Sequence, residues 1–144
     1  MSVDEILALP VRGITNENSV LFLWIVWPML QHGLRVIEAW GFTYKTCAFS
    51  WIKTNSTDNQ IWKGTGYWTR SNSEVCLLAT RGKPKRLDKS VPQGIIEPRR
   101  QHSRKPDCVY SRIEQLVEGP YVDLFSRGAP ANWHAWGRER GKFE

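Results

Sequence analysis

Two periodicities alternate along the chain. "VLFLWIV" (20–26), "FTYKTCAFSWIKT" (42–54), "EVCLLAT" (74–80) and "YVDLFSR" (121–127) are rich in β-branched and aromatic residues and predict strands. The first is a continuous apolar run, the pattern of a parallel strand buried on both faces. Between the strands the spacing turns helical. Pro28 can start a helix whose apolar positions are Leu30, Leu34 and Ile37, and Gly41 closes it. Pro106 opens a second helix, with Asp107 in its first turn and Val109, Ile113, Leu116 and Val117 as its buried stripe; Gly119 ends it. A short helix, "SVDEILALP", carries the Ser2–Glu5 capping-box pattern and stops at Pro10. The connection over 55–73 is turn-rich and too long for a tight hairpin, and residues 82–104 form a basic loop punctuated by Pro and Gly. There is no internal repeat.

Strands alternating with helices predict an α/β fold, with helices packed on a largely parallel sheet. In such sheets ligands bind beyond the carboxyl ends of the strands. That rule points to Ser126, Arg127 and the loop after them, and separately to Trp27.

Composition narrows the class. With 144 residues, 41% hydrophobic and 24% charged, the chain suits one domain with a real core. "VLFLWIVWPML" is too short to span a membrane, and no positive region precedes an apolar stretch as in a signal peptide. Cys47, Cys76 and Cys108 lie far apart with no C-x-x-C pair, so neither a metal site nor a disulfide is expected, and a reducing cytoplasm fits. His32, His102 and His134 are scattered and form no hydrolase triad with Ser and Asp.

Charge is uneven. The formal net charge is +6, yet residues 81–105 alone hold nine Lys or Arg against Asp88 and Glu97, which leaves the rest of the chain at −1. A basic segment on a near-neutral body suits a polyanion, most simply nucleic acid. The "GTGYWTR" stretch interleaves Lys63, Tyr67, Trp68 and Arg70, a platform on which a base could stack. A hairpin anchored by two core aromatics is the other reading of that stretch. With His102, Ser103 and Arg104, these residues are the candidate substrate contacts.

Lys105-Pro106, then a helix, then a strand ending "DLFSR" resembles the order of permuted S-adenosylmethionine-dependent amino-methyltransferases. The closer resemblance is to the adenine-N6 methyltransferase family, which includes the catalytic subunit of the eukaryotic mRNA writer and many bacterial and phage DNA methyltransferases. It runs through "LFLWIV", "WGF", "WIKTN", "GTGYWTRSNSEVCLLATRG", "HSRKPD", "VDLFSR" and "NWHAWG". The family implies a Rossmann-like methyltransferase sheet with flanking helices, in one domain over 1–144 whose residues 105–144 form the cofactor-binding half. It implies S-adenosylmethionine as cofactor: Lys105 for the carboxylate, Phe125 against the adenine, and Arg127 and Asn132 on ribose hydroxyls. Arg138 and Glu139 follow "WG", where the family reaches ribose and adenine; many bacterial members carry Asn-Glu there. In heterodimeric members the "GTGYWTR" region also serves the subunit interface, so a homo- or heterodimer is a possible assembly.

The family's catalytic Asp-Pro-Pro-aromatic motif occurs nowhere in the 144 residues, so no catalytic residue is assigned. The resemblance puts that motif upstream of "SVDEILALP", on a strand between those matching "VLFLWIV" and "YVDLFSR", so the sheet is expected to lack an N-terminal strand. Three functions fit: the body of an adenine methyltransferase, a catalytically inactive methyltransferase-like subunit, and a basic nucleic-acid-binding module. The first is favoured because the pattern Lys105, Phe125, Arg127, Asn132 is intact. DNA is favoured over RNA because the chain is compact, and the expected setting is a bacterial or phage-infected cytoplasm. The 144 residues alone are expected to show no methyl transfer to mixed DNA and RNA in a radiolabel assay. Clear turnover would demand another catalytic carboxylate.

Overall fold

The structure, a computed structural model, describes residues 1–101, 103–138 and 140–141. They fall into two compact units, Met1–Pro84 with Pro92–Pro106, and Lys85–Val91 with Asp107–Glu144. Each holds a sheet and helical structure, so the chain is a mixed α/β protein. No helix among the described residues is long and apolar enough to cross a membrane.

In the first unit, α1 (Val3–Leu7) forms where the capping box predicts it: Ser2 Oγ accepts from Glu5 N at 3.1 Å, and the Glu5 side chain reaches back to Ser2 N. β1 (Ser19–Ile25) leads through a short 3-10 turn at Trp27–Met29 into α2 (Leu30–Ala39). Gly41 closes α2 as predicted, its N–H bonding Glu38 O while Phe42 N–H bonds Ile37 O. The buried positions of α2 are Gly33, Val36 and Ile37; Leu34 is exposed, so the buried face is rotated from the expected stripe. Gly33 sits where helix and sheet meet, because a Cβ there would lie 2.7 Å from Ile25 Cγ2.

β2 (Thr43–Thr54), β3 (Ser73–Arg81) and β4 (Gly94–Pro98) complete a four-stranded sheet in the order β1-β3-β2-β4. Here the sequence expectation fails in one respect. β3 is antiparallel to both β1 and β2, and only β2 and β4 are parallel. A continuous apolar run reports burial on two faces and says nothing of direction. The strand that is buried on both faces is β3, where Glu74, Val75, Cys76, Leu77 and Ala79 are all inside. β1 lies at an edge of the described sheet and only its Ile25 is fully buried. The basic loop expected over 82–104 also contains β4, which pairs with β2 from Ser50–Gly94 to Thr54–Pro98.

The second unit contains α3 (Cys108–Leu116), β5 (Val122–Leu124) and β6 (His134–Trp136). Asp107 is the N-cap of α3 rather than a residue of its first turn, and Val109 and Ile113 are the buried part of its stripe. β5 and β6 pair in parallel, Asp123 opposite Ala135. β6 has no counterpart in the sequence reading, since three residues are too few for a period. Leu87 N–H bonds Leu116 O at 2.8 Å, and Gln115 Nε2 donates to Asp88 Oδ2 at 2.8 Å, which ties Lys85–Val91 to the end of α3.

A side chain at Gly33 has no room, because the β-branched Ile25 cannot swing away. Gly33→Val is expected to lower the unfolding free energy by about 1–3 kcal/mol, measured by urea denaturation, with the far-ultraviolet spectrum retained.

Candidate functional site

Antiparallel register decides which side chains share a face. Trp24 lies opposite Cys76 and Ile25 opposite Val75, while Trp51 lies opposite Glu74. Alternation then places Phe22, Trp24, Phe49, Trp51, Lys53, Glu74 and Cys76 on one face, and Leu23, Ile25, Val75 and Leu77 on the α2 side. The rings on the first face meet: Phe22 stacks on Phe49 at 6.1 Å and Trp24 meets Trp51 edge-on at 6.3 Å.

Glu74 is a buried charge on this face, 6% exposed. Lys105 Nζ donates to its Oε1 at 2.8 Å, and Lys53 Nζ lies 2.6 Å from its Oε2. Burial pushes the Glu74 carboxyl up, but the hydrogen bonds and charges of Lys105 and Lys53 together outweigh burial and hold it below the usual range. Both ammonium groups also sit over indoles, Lys105 5.6 Å from Trp24 and Lys53 5.2 Å from Trp51 and 5.4 Å from Trp62. Two cations on one carboxylate leave one positive charge in surplus. The sequence identified Lys105 but not its partners, because residues 53, 74 and 105 meet only through sheet register. Burial also drives the Cys76 thiol well above its usual range, consistent with its reading as a small core hydrophobe.

In the second unit, Phe125 directly follows β5; it has φ of +58°, is 45% exposed, and its ring is set edge-on to Trp136 at 5.4 Å. Ser126 N–H bonds Trp136 O at 2.9 Å and His134 N–H bonds Tyr121 O at 2.9 Å, so both ends of the loop carrying Arg127 and Asn132 are fastened. Gly137 explains the glycine of "NWHAWG": its φ is +157° and a Cβ would lie 2.9 Å from Ser126 N. Trp133 anchors the loop. It stacks on Tyr121 at 4.9 Å, meets Tyr110 edge-on at 5.0 Å, and donates from Nε1 to Glu114 Oε1 at 2.8 Å. Tyr110 in turn donates to Asp123 Oδ2 at 2.9 Å. Burial raises the Asp123 carboxyl, and this hydrogen bond offsets only part of the rise. Asn132 and Arg138 are exposed, and Arg127 is half-buried. Glu139 lies outside the described residues.

The cofactor candidates thus divide between the units, Lys105 on the first and Phe125, Arg127, Asn132 and Arg138 on the second. The substrate candidates that are described all belong to the first. Tyr67 is 77% exposed and Trp68 98% exposed with φ of +145°, and Lys63 and Arg70 are exposed beside them. Two core aromatics would have been buried, so that reading of the stretch is wrong. The loop is instead pinned by Trp62, whose N–H bonds Lys53 O and whose ring takes Arg99 at 4.6 Å. Ser103 (φ +60°) is exposed, Arg104 donates to Gln101 Oε1 at 3.1 Å, and His102 lies outside the described residues. No group of His, Cys, Asp and Glu suited to a metal ion occurs among the described residues.

Glu74→Gln keeps the shape but strands two lysines. It is expected to cost about 2–4 kcal/mol, below the value for a fully buried pair because both lysines retain some solvent. The sign of the pH dependence follows from the lowered folded-state value. Glu74's contribution is present above the ordinary carboxylate range and lost as pH falls through the folded value. Urea titrations at about pH 7 and about pH 3 should therefore show the gap between wild type and variant closing in acid.

The chain is 32% identical over 142 residues to the type II methyltransferase M.MunI of Mycoplasma sp., covering 96% of this chain and 58% of that protein. It is 31% identical over 144 residues to an N(6)-adenosine-methyltransferase MT-A70-like protein of Drosophila melanogaster, covering 96% of this chain and 23% of the relative. To the human N(6)-adenosine-methyltransferase catalytic subunit METTL3 it is 29% identical over 131 residues, or 88% of this chain and 22% of that one. The chain therefore spans less than two thirds of each of these relatives. The MT-A70 family model matches residues 1–139, and the chain belongs to the MT-A70 family of methyltransferases.

Proposed function

We propose that this domain is the body of an S-adenosylmethionine-dependent adenine-N6 methyltransferase that acts on nucleic acid, DNA before RNA, in a bacterial or phage-infected cytoplasm. One observation carries the reading: Glu74 holds Lys105 in place while leaving a surplus positive charge with it. An ammonium has three donors and Glu74 takes one, so Lys105 retains capacity for the carboxylate of the cofactor's methionine end. The resemblance assigns the adenine and ribose to residues of the second unit. Phe125 presents a half-exposed ring suited to an adenine face, and Arg127 and Asn132 extend from a fastened loop toward ribose hydroxyls. When bound, the sulfonium supplies the methyl group; the residues described here bind and orient. Glu139 is assigned beside Arg138 by resemblance alone.

Substrate binding falls to the exposed Tyr67–Trp68 pair with Lys63 and Arg70, where a base can stack and the cations meet phosphates. The same loop would face a second subunit in a dimeric assembly. The half-exposed apolar side chains of β1, at the edge of its sheet, support its place in a larger Rossmann-like methyltransferase sheet, with another strand at that edge.

Calorimetric titration of the intact protein with S-adenosylmethionine tests the reading. Lys105→Ala should weaken binding about ten- to hundredfold, the usual loss of a charge-assisted contact. Arg127→Ala should weaken it by less, since it meets neutral hydroxyls. Wild-type affinity in Lys105→Ala would refute the role given to that lysine.

A further inference from the structure

β2 and β4 run parallel, so their carboxyl ends lie side by side, Thr54 opposite Pro98. Arg99 N–H bonds Thr54 O at 3.1 Å and carries the ladder one residue further. Beyond these ends Ser56, Pro98, Arg99, Arg100, Gln101 and Arg104 line an open cleft of about 570 Å³. Three of the six are arginines and none is a carboxylate. The acidic side chain of the adjoining loop, Asp58, is turned to its own turn: it accepts from Asn55 Nδ2 at 2.9 Å and from Gln60 N at 3.0 Å. The cleft is partly ordered in advance. The Arg99 guanidinium lies 4.6 Å from the centre of the Trp62 ring, and Arg104 is drawn to Gln101 by both backbone and side chain.

We infer that this cleft is a phosphodiester subsite, which holds the sugar–phosphate backbone of a single nucleic-acid strand; the inference rests on the nucleic-acid reading proposed above. Guanidinium forks match phosphate oxygens two at a time, and a guanidinium already seated on an indole loses less freedom on binding. The cleft is shallow and open, which suits a polymer passing over it. Apart from Pro98 its side chains offer charge and hydrogen bonds, which suits it to fixing the strand's position more than reading its sequence. The sequence pointed to the whole segment 81–105. The fold gathers Arg99, Arg100 and Arg104 into one wall and places Lys85–Val91 in the other unit.

The test is fluorescence anisotropy with labelled single-stranded oligonucleotides of two unrelated sequences, titrated across sodium chloride concentrations. The Arg99→Gln/Arg100→Gln double variant should lose about 1.4 from the slope of log affinity against log salt, at roughly 0.7 per phosphate on a single strand, equally for both sequences. Binding with an unchanged slope overturns the subsite and leaves the nucleic-acid reading intact. No binding by the unaltered protein at any salt concentration overturns both. A second measurement needs no variant: the unaltered protein is treated with phenylglyoxal, and modification at Arg99, Arg100 and Arg104 is mapped. Protection by the oligonucleotide and not by inorganic phosphate at equal phosphate concentration is expected. Equal protection by inorganic phosphate would mark a site for a free anion and overturn the assignment to a strand.

Discussion

A single carboxylate sets the aromatic face of the main sheet. Glu74 is buried on the central strand, where a lone charge would be expelled or neutralised. Lys53 and Lys105 keep it ionised, and each lysine is in turn held against an indole of the same face. The arrangement depends wholly on register. A slip of one residue in β3 would carry Glu74 to the α2 side, beside Leu23 and Ile25 of β1 and away from Lys53. Glu74 thus penalises misregistered sheets as well as orienting Lys105. Its presence in an otherwise apolar strand makes physical sense on both counts.

The second unit solves a similar problem with fewer residues. Among the described residues its sheet has two strands of three residues, too small to fix a loop by packing alone. Rings and hydrogen bonds substitute. Trp133 is clamped by Tyr121, Tyr110 and Glu114, and two backbone bonds fasten the ends of the loop it belongs to. The outcome is a loop whose polar residues, Arg127 and Asn132, extend from an anchored base, with Phe125 left half-exposed at its start. A non-glycine residue at positive φ with 45% exposure is costly for stability.

The elements were largely legible, and the pairing was not. Apolar runs located β1, β2, β3 and β5 to within a residue or two at most ends, and the Ser2–Glu5 and Gly41 signals placed two helix ends. Such signals act over three or four neighbouring residues. Strand direction depends on the long connections between strands, and no local pattern encodes it; hence the parallel sheet that was expected and the mostly antiparallel one that forms. β4 escaped because Gly94 and Pro98 bound a short run inside a segment dominated by charge. For the candidate site, Lys105, Phe125 and Arg127 were singled out through an ordered set of motifs. Glu74, Trp62 and Trp133 were not, since a Glu opening an apolar run or a Trp beside a Lys is ordinary until the fold brings its partner.

Charge shows why composition is a coarse guide to binding. Residues 81–105 carry a large positive excess, which on a sequence looks like one footprint. In the structure that excess is divided, and Arg81 donates to Arg12 O and Thr15 Oγ1. Lys105 is committed to Glu74 and the indole of Trp24. Arg99, Arg100 and Arg104 gather at the ends of two parallel strands. Lys85, Arg86 and Lys89 belong to the stretch tied to α3 through Leu87 and Asp88. A polyanion would therefore meet separate groups of cations, and placement on strand ends, more than the number of charges, would decide which group could hold a phosphate at a fixed point.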